Sequence, residues 1–408
     1  MFPEIEETLK KHFSKFNATP ETAELYNDLL ADLNEATQDR IKQGETPEQA
    51  VAASLATLTD LDQILTTITT QPHEDHFDNN QLNRLYDRFF ATKLVNSLTY
   101  PVDQLNQIFI DYRYAKITLA PAVSDKLVIN EYMNADRPAG YATGKIVGDK
   151  LKVEQPRRIP LAILRERIEI LIPAQFTGFV YLQNKNGNLQ IDDLIGAYIL
   201  ETSLTSGTIT SHNLQLNQIH LQTTSGSIQG AFLQAEQIQL ISNSGNLKLT
   251  ESTGVRDNSM ISGKVKSGQI HFAHLQADEI NVDCTSGNVE SEFLTAKQLN
   301  LTDHSGNVQG QGLVGSGNFE SRSGNLSLSF SQINADLAVT TTSGSVIIKM
   351  PTDRAYHFQT TSNSGRVNLP YGATFLTPRQ QRQQSGQVGE RPQITVTAKT
   401  TSGSIKIF

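Results

Sequence analysis

The chain has 408 residues, 38% hydrophobic and 19% charged, with a formal net charge of −8, and Ser, Thr, Asn and Gln fill about 31% of it. That balance excludes a disordered acidic chain, which needs high net charge and few apolar residues, and it excludes a basic nucleic-acid binder. A single cysteine, Cys284, excludes an intramolecular disulfide and a multi-thiolate metal site.

The first residues are acidic where a secretory signal needs a basic stretch before an apolar run, and no segment approaches the ~20 apolar residues of a membrane-spanning helix. The expected location is therefore cytoplasmic, or peripheral to the cell envelope. Residues 1–104 hold 8 Lys and Arg against 18 Asp and Glu, whereas residues 105–408 hold 26 against 24. Two parts with different surfaces are joined.

Residues 1–70 read as a small acidic helical bundle. Ile5, Leu9, Phe13 and Phe16 share one helix face. Thr19-Pro20 supplies an N-cap and a first-turn proline for a second helix through Leu25, Leu29, Leu33 and Ala36, with Gly44 as its stop. Thr46-Pro47-Glu48-Gln49 is a capping box that opens a third helix through Val51, Leu55 and Leu58. A fourth runs through Leu61, Ile64, Leu65 and Ile68.

Residues 71–104 read as a linker carrying an amphipathic helix through Leu82, Leu85, Phe89 and Phe90. His73 and His76 flank Glu74 and Asp75 at its start, but no further ligand cluster completes a metal site, so the segment reads as solvated linker. Residues 105–180, with "KITLAP", "DKLVINEYM", "KLKVEQ" and "RIEILIP", are expected to form an irregular β layer that caps the N-terminal end of the remaining chain.

From residue 181 to 408 one repeat dominates. Glycines preceded by Ser or Asn stand at Gly187, Gly207, Gly226, Gly245, Gly268, Gly287, Gly306, Gly324, Gly344, Gly365 and Gly403, mostly 18 to 21 residues apart. The last step is twice that length. One residue after each glycine the chain is polar, and two residues after it stands Leu, Ile or Val, as in Asn188-Leu189, Ser227-Ile228 and Ser404-Ile405. Seven residues after it, Leu194, Leu214, Leu233, Leu275, Leu294 and Leu313 mark a second inward position. A coil this short cannot bury these side chains alone, and stacked coils can.

The expected fold is α+β and multidomain: an N-terminal helical bundle followed by a long parallel β-solenoid, or β-helix. The eleven glycines are its structural corners, where positive φ is expected, and the Ser before each is expected to bond its own backbone and its counterpart one coil on. Cys284, three residues before a corner, takes the place of Thr223, Thr341 or Asp303 in other coils and reads as a small buried residue. "ESTGVRDNSMISG" is expected to bulge from one coil. Residues 371–392 read equally as a binding loop or as a disordered surface loop.

The block from Ile108 to Phe408, with "ITLAP", "LVINEYM", "RIEILIPAQF" and the run of "TTSGSI", "SNSGNL", "CTSGNV" and "TTSGSV", resembles the bacterial putative-adhesin family of β-strand repeat domains of unknown function. The stretch from Leu29 to Leu65, with "QGETPEQAVAASL" at its centre, resembles the short helical signalling domains of bacterial envelope-stress and membrane-associated regulatory proteins, and an acidic helical module placed ahead of such a repeat domain resembles the architecture of daptomycin-sensing, LiaX-type surface proteins of Gram-positive bacteria. The resemblance implies a non-enzymatic interaction or scaffold protein in envelope-stress sensing or adhesin-like binding. Its helical module would dock a membrane-bound regulator and its solenoid would contact cell wall or membrane surface. It implies no catalytic residue, cofactor, metal or nucleic acid. The competing expectation is a carbohydrate-active β-helix enzyme, for which the adjacent acids Asp192-Asp193 and Asp278-Glu279 are the nearest candidates.

Overall fold

The computed structural model describes residues 2–16, 44–58, 61, 93–133, 136, 138–156, 166–376 and 382–408, with residues 26, 29–30, 33–34, 37–38 and 40–41. The chain divides into two compact units. One is Met1–Val95 with Tyr132–Tyr141 and Pro156–Glu166, and the other is Asn96–Glu131 with Ala142–Gln155 and Arg167–Phe408.

In the first unit the described residues form two bounded α-helices, Pro3–Phe13 and Pro47–Leu55, and a 3-10 turn, Ala56–Leu58. Thr46 accepts from the Gln49 backbone N–H at 3.3 Å, and the Gln49 side chain accepts from the Thr46 N–H at 3.3 Å, which closes the capping box. Ile5, Leu9, Leu29, Leu33, Leu58 and Leu61 share a small apolar core. Two short bounded helices among the described residues do not make the expected helical bundle. The expected helix start at Thr19-Pro20, the fourth helix beyond Leu61, His73 and His76, and the helix at Leu82–Phe90 lie outside the described residues. Residues 93–101, expected within the linker, form the strand Lys93–Pro101.

The second unit is a long β-solenoid whose strands belong to one hydrogen-bonded network. Each coil contributes one strand before its corner glycine and one after it, and each strand pairs in parallel with its equivalent in the neighbouring coil. Gln218–Ser225 lies between Ile199–Ser206 and Gln237–Ser244, while Ile228–Ala235 lies between Ile209–Gln215 and Leu247–Gly254. Alternation sets the burial: Ile219, Leu221, Ile228 and Leu233 are buried, as are their counterparts Ile238, Leu240 and Leu247 one coil on. Fully burying each such side chain contributes ~1.5–3 kcal/mol, so the inward columns dominate the stability of the stack. Size is matched between columns. Phe272 fills the space beside Gly263, where a Cβ would strike its ring.

The corner has a different physical basis from the one its glycines imply. A Cβ at any of the eleven would lie within 3.0 Å of a carbonyl oxygen on the adjacent coil: that of Ala115 for Gly187, of Gly187 for Gly207, and so on along the column. Positive φ is common there, 116° at Gly187 and 157° at Gly306, but Gly324 and Gly365 are not among the positive-φ residues and meet the same obstruction. Close backbone approach is what selects glycine.

The hydroxyl ladder also sits elsewhere than expected. In most coils the side chain of the residue after the glycine accepts the backbone N–H of its counterpart: Asn188 from Thr208 at 2.9 Å, Asn246 from Gln269 at 2.9 Å, Asn307 from Asn325 at 3.0 Å. The residue three before the glycine points inward, and in several coils it donates to a corner carbonyl: Asn184 to Ala115 at 2.8 Å, Ser242 to Gly226 at 3.0 Å, Thr400 to Gly344 at 2.9 Å. The Ser before the glycine mainly offers its backbone carbonyl, as Ser244 does to the Gly226 N–H at 2.8 Å.

Sequence order and spatial order part at both ends. The strands Thr395–Ser402 and Ile405–Ile407 lie between Leu337–Ser343 with Val346–Lys349 on one side and Tyr356–Ser362 with Val367–Asn368 on the other. Gly403 therefore stands between Gly344 and Gly365 in the column. At the other end, Gln107–Tyr112 and Lys116–Pro121 lie between the coil of Lys150–Glu154 and Glu166–Ile172 and the coil of Phe179–Asn186 and Leu189–Asp192. Much of the 105–180 segment is thus in solenoid register, with Ala115 heading the corner column. Antiparallel strands close the edges: Thr143–Val147 on Lys150–Glu154, and Gln383–Val388 on Tyr356–Ser362. The segment expected as a binding or disordered loop, 371–392, supplies that second closure through Thr374–Phe375 and Gln383–Val388.

Candidate functional site: an exposed corner ridge

Six residues beyond the glycine column the chain turns again. Asp193, Asn213, Phe232, Glu251, His274 and Phe293 have φ between 49° and 56°, and Gly312 continues the column at 66°. Each precedes an inward position: Leu194, Leu214, Leu233, Ser252, Leu275, Leu294 and Leu313 are all buried. Anchoring of that next side chain forces the turn, and the residue at the turn projects into solvent. Asn and Asp tolerate this left-handed conformation, whereas Phe, Glu and His adopt it at a cost of ~1–2 kcal/mol each.

Side chains along the ridge meet one another. Asn213 donates to Asp193 at 2.6 Å. The Phe232 ring, half exposed, meets His212 edge-on with centroids 5.4 Å apart. Phe293, 47% exposed, stacks on His274 at 4.9 Å and 21°, and its ring lies over Gly312, where any side chain would displace it. The ridge thus carries two aromatic platforms, each beside an imidazole, with the Glu251 carboxylate in the column between them. Such faces can stack on sugar rings or apolar surfaces while the polar neighbours bond to hydroxyl or amide groups.

None of the eleven corner glycines contributes to this ridge; they form the other corner. Of the acidic pairs, Asp193 lies on the ridge, where it accepts from Asn213, and the other three acids are engaged with other neighbours. Asp192 accepts from Gln190 at 2.6 Å. Asp278 meets Lys297 at 2.9 Å and accepts the Asn258 N–H at 2.7 Å, contacts that hold its carboxyl below the usual range. Glu279 accepts from Asn281 at 2.9 Å. The segment expected to bulge, 251–263, lies within the strands Leu247–Gly254 and Met260–Ser267 except for residues 255–259, which are pinned through Asn258 and by the ion pair of Arg256 with Glu236. Among the described residues, no group of three or more His, Cys, Asp or Glu is placed to hold a metal ion, and no helix is long and apolar enough to cross a membrane.

The ridge escaped sequence reasoning because its residues share no type. What recurs is the conformation, and the one signal was the scatter of Asp, Asn and Gly a residue ahead of the recurrent leucine position.

The Toastrack DUF4097 family profile matches residues 105–266 and 259–408. No curated protein matches the sequence. Two solved structures are similar. One is a putative cell adhesion protein from Clostridium sporogenes, 10% identical, covering 78% of this chain and 98% of that one at a TM-score of 0.20. The other is a putative adhesin from Bacteroides fragilis, 11% identical, covering 77% and 96% at 0.26. With both family matches together spanning the solenoid from its first coil to its last residue, the chain belongs to the Toastrack DUF4097 family.

Proposed function

We propose that the protein is a non-enzymatic binding protein of the bacterial cell envelope, whose solenoid engages an extended surface polymer along the corner ridge. The observation that carries this reading is the pair Phe232 and Phe293: large aromatic side chains held exposed, on a backbone conformation that disfavours them. Exposed apolar residues at conformational cost favour a binding role over a packing one. The acids Asp278 and Glu279, weighed for glycoside hydrolysis, are each tied to neighbouring side chains, which favours binding over turnover. No cofactor is needed.

In this reading the acidic N-terminal helical segment docks a membrane-bound regulator of envelope stress, in a Gram-positive host. Its support is the resemblance of "QGETPEQAVAASL" to signalling modules and the capped helix Pro47–Leu55 that this stretch forms. In-cell crosslinking of the full chain should recover such a regulator, and recovery of none would sink this part.

The ridge is tested by F232G with F293G. Glycine removes the left-handed strain, so the double variant should melt higher than the parent. It should also sediment less with purified cell-wall sacculi. Undiminished sedimentation would overturn the ridge as the binding surface, and hydrolysis of wall polymer by the parent chain would overturn the non-enzymatic reading.

A further inference from the structure

A separate site lies where the C-terminal coil enters the stack. A cleft of about 450 Å³ is lined by Gln298, Asn334, Ala335, Asp336, Arg354, Gln393 and Ile394. All but Gln298 sit in connections that lead into the strands Leu337–Ser343, Tyr356–Ser362 and Thr395–Ser402, the three brought together by the insertion of the last coil. The opening arises from the register. Gln298 pairs with Ser316, and Leu337 pairs with Gly317, so Ser316 occupies the level between Gln298 and Asp336. That level reads Gly315-Ser316-Gly317 and its Ser316 is buried, so no long side chain fills the gap.

The polar groups are specific in kind. Arg354 forms no ion pair and no side-chain hydrogen bond among the described residues, and its Nε is buried without a partner. Asp336 uses Oδ1 to accept the Thr395 N–H at 2.8 Å, which leaves Oδ2 for a ligand. Asn334 accepts from Gln332 at 3.2 Å and keeps its amide hydrogens. Gln298 and Gln393 add two more amides, and Ala335 with buried Ile394 add an apolar wall. One cation, one carboxylate oxygen and three amides suit a ligand with a single negative charge and several hydroxyl groups. A phosphate dianion meets repulsion from Asp336, and a neutral sugar leaves the guanidinium unpaired. The volume lies within the ~300–1,000 Å³ of small-molecule sites.

We propose that this cleft binds a carboxylated sugar, a uronic acid residue of an anionic glycan. The carboxylate pairs with the Arg354 guanidinium, ring hydroxyls donate to Asp336 Oδ2 and bond to the amides of Gln298, Asn334 and Gln393, and the ring's apolar edge faces Ile394 and Ala335. The site does not depend on the corner ridge.

NMR titration of the full chain with D-galacturonate, D-galactose, inorganic phosphate and L-alanine tests it. Saturable shifts with galacturonate are expected, with at least tenfold weaker binding of the other three. R354Q, shown folded by circular dichroism, should weaken galacturonate at least tenfold, and Q393A at an exposed position should weaken it less. F232G with F293G should leave it unchanged, which separates this site from the ridge. No saturable galacturonate binding, equal binding of galactose, preference for phosphate or alanine, or full binding by both R354Q and Q393A would each overturn the proposal.

Discussion

The Tyr112 hydroxyl donates to Glu131 at 2.9 Å inside the solenoid core, joining an intercalated strand to the strand Lys126–Met133. The same carboxylate accepts Asn96 at 2.7 Å and the Ala142 N–H at 3.1 Å, and Glu131 itself is fully buried. A carboxyl group taken wholly from water is held by donors from three segments that are far apart in sequence. E131L strands these donors in an apolar space and is expected to lower the unfolding free energy by about 3–5 kcal/mol, with E131Q less severe because it keeps one acceptor. Urea denaturation of both variants checks the order, and an E131L loss under ~1 kcal/mol would contradict it.

The corner column predicts a sharp contrast among glycines. In G226A the new methyl meets the Gly207 carbonyl oxygen and the two coils must separate, at a cost of more than ~3 kcal/mol. Gly372 has φ of 86° but open space around it, so G372A should cost only ~1 kcal/mol. G140A, with neither obstruction nor positive φ, should be near neutral. Thermal melts of the three report the ranking directly.

Asp303 occupies the inward column where Ser242, Thr341 and Thr400 donate to corner carbonyls, and it is buried beside Cys284 in register. Burial raises its carboxyl above the usual carboxylate range. A raised acid binds its proton more tightly when folded. Its contribution is therefore full below the ordinary value near ~3.9 and is lost as pH rises through the folded value. D303T keeps a donor without the charge. It should melt higher than the parent at pH 7.5, with the gain shrinking by pH 4; a gain that does not change with pH would show that Asp303 does not titrate this way.

Burial, with Asp303 adding to it, pushes the Cys284 thiol up to about 12. The native protein should therefore leave Ellman's reagent unreacted at pH 8, with one thiol appearing in denaturant. C284S can donate to the Gly268 carbonyl as the thiol does at 3.7 Å, and should change stability by less than ~1 kcal/mol. Rapid reaction of the folded chain would contradict the buried assignment.

The stack was legible because its constraint acts on residue type: nothing larger than glycine passes beneath the neighbouring carbonyl, and only Leu, Ile or Val fills the next inward position at Ile209, Ile228 and Leu247. The spatial place of the last coil was not. A double-length step from Gly365 to Gly403 is equally compatible with a long loop, and the choice is made by pairing with Leu337–Ser343, which lies over fifty residues away. The ridge was hidden for the opposite reason: at Phe232 or Glu251 solvent accepts any side chain, so conformation repeats without a repeating letter. The cleft joins Gln298, Asp336, Arg354 and Gln393 only after that insertion, and no local pattern marks them.

The out-of-order coils at the two ends also divide what can vary from what cannot. Gain or loss of a middle unit, such as the coil around Gly226 or Gly245, would change the length of the stack and leave both closures intact. The terminal units have no such freedom. Thr395–Ile407 fits only between two partners already fixed by the preceding chain, so that end of the stack can shut only after this late segment has been made, and a second copy of the unit would find its place taken.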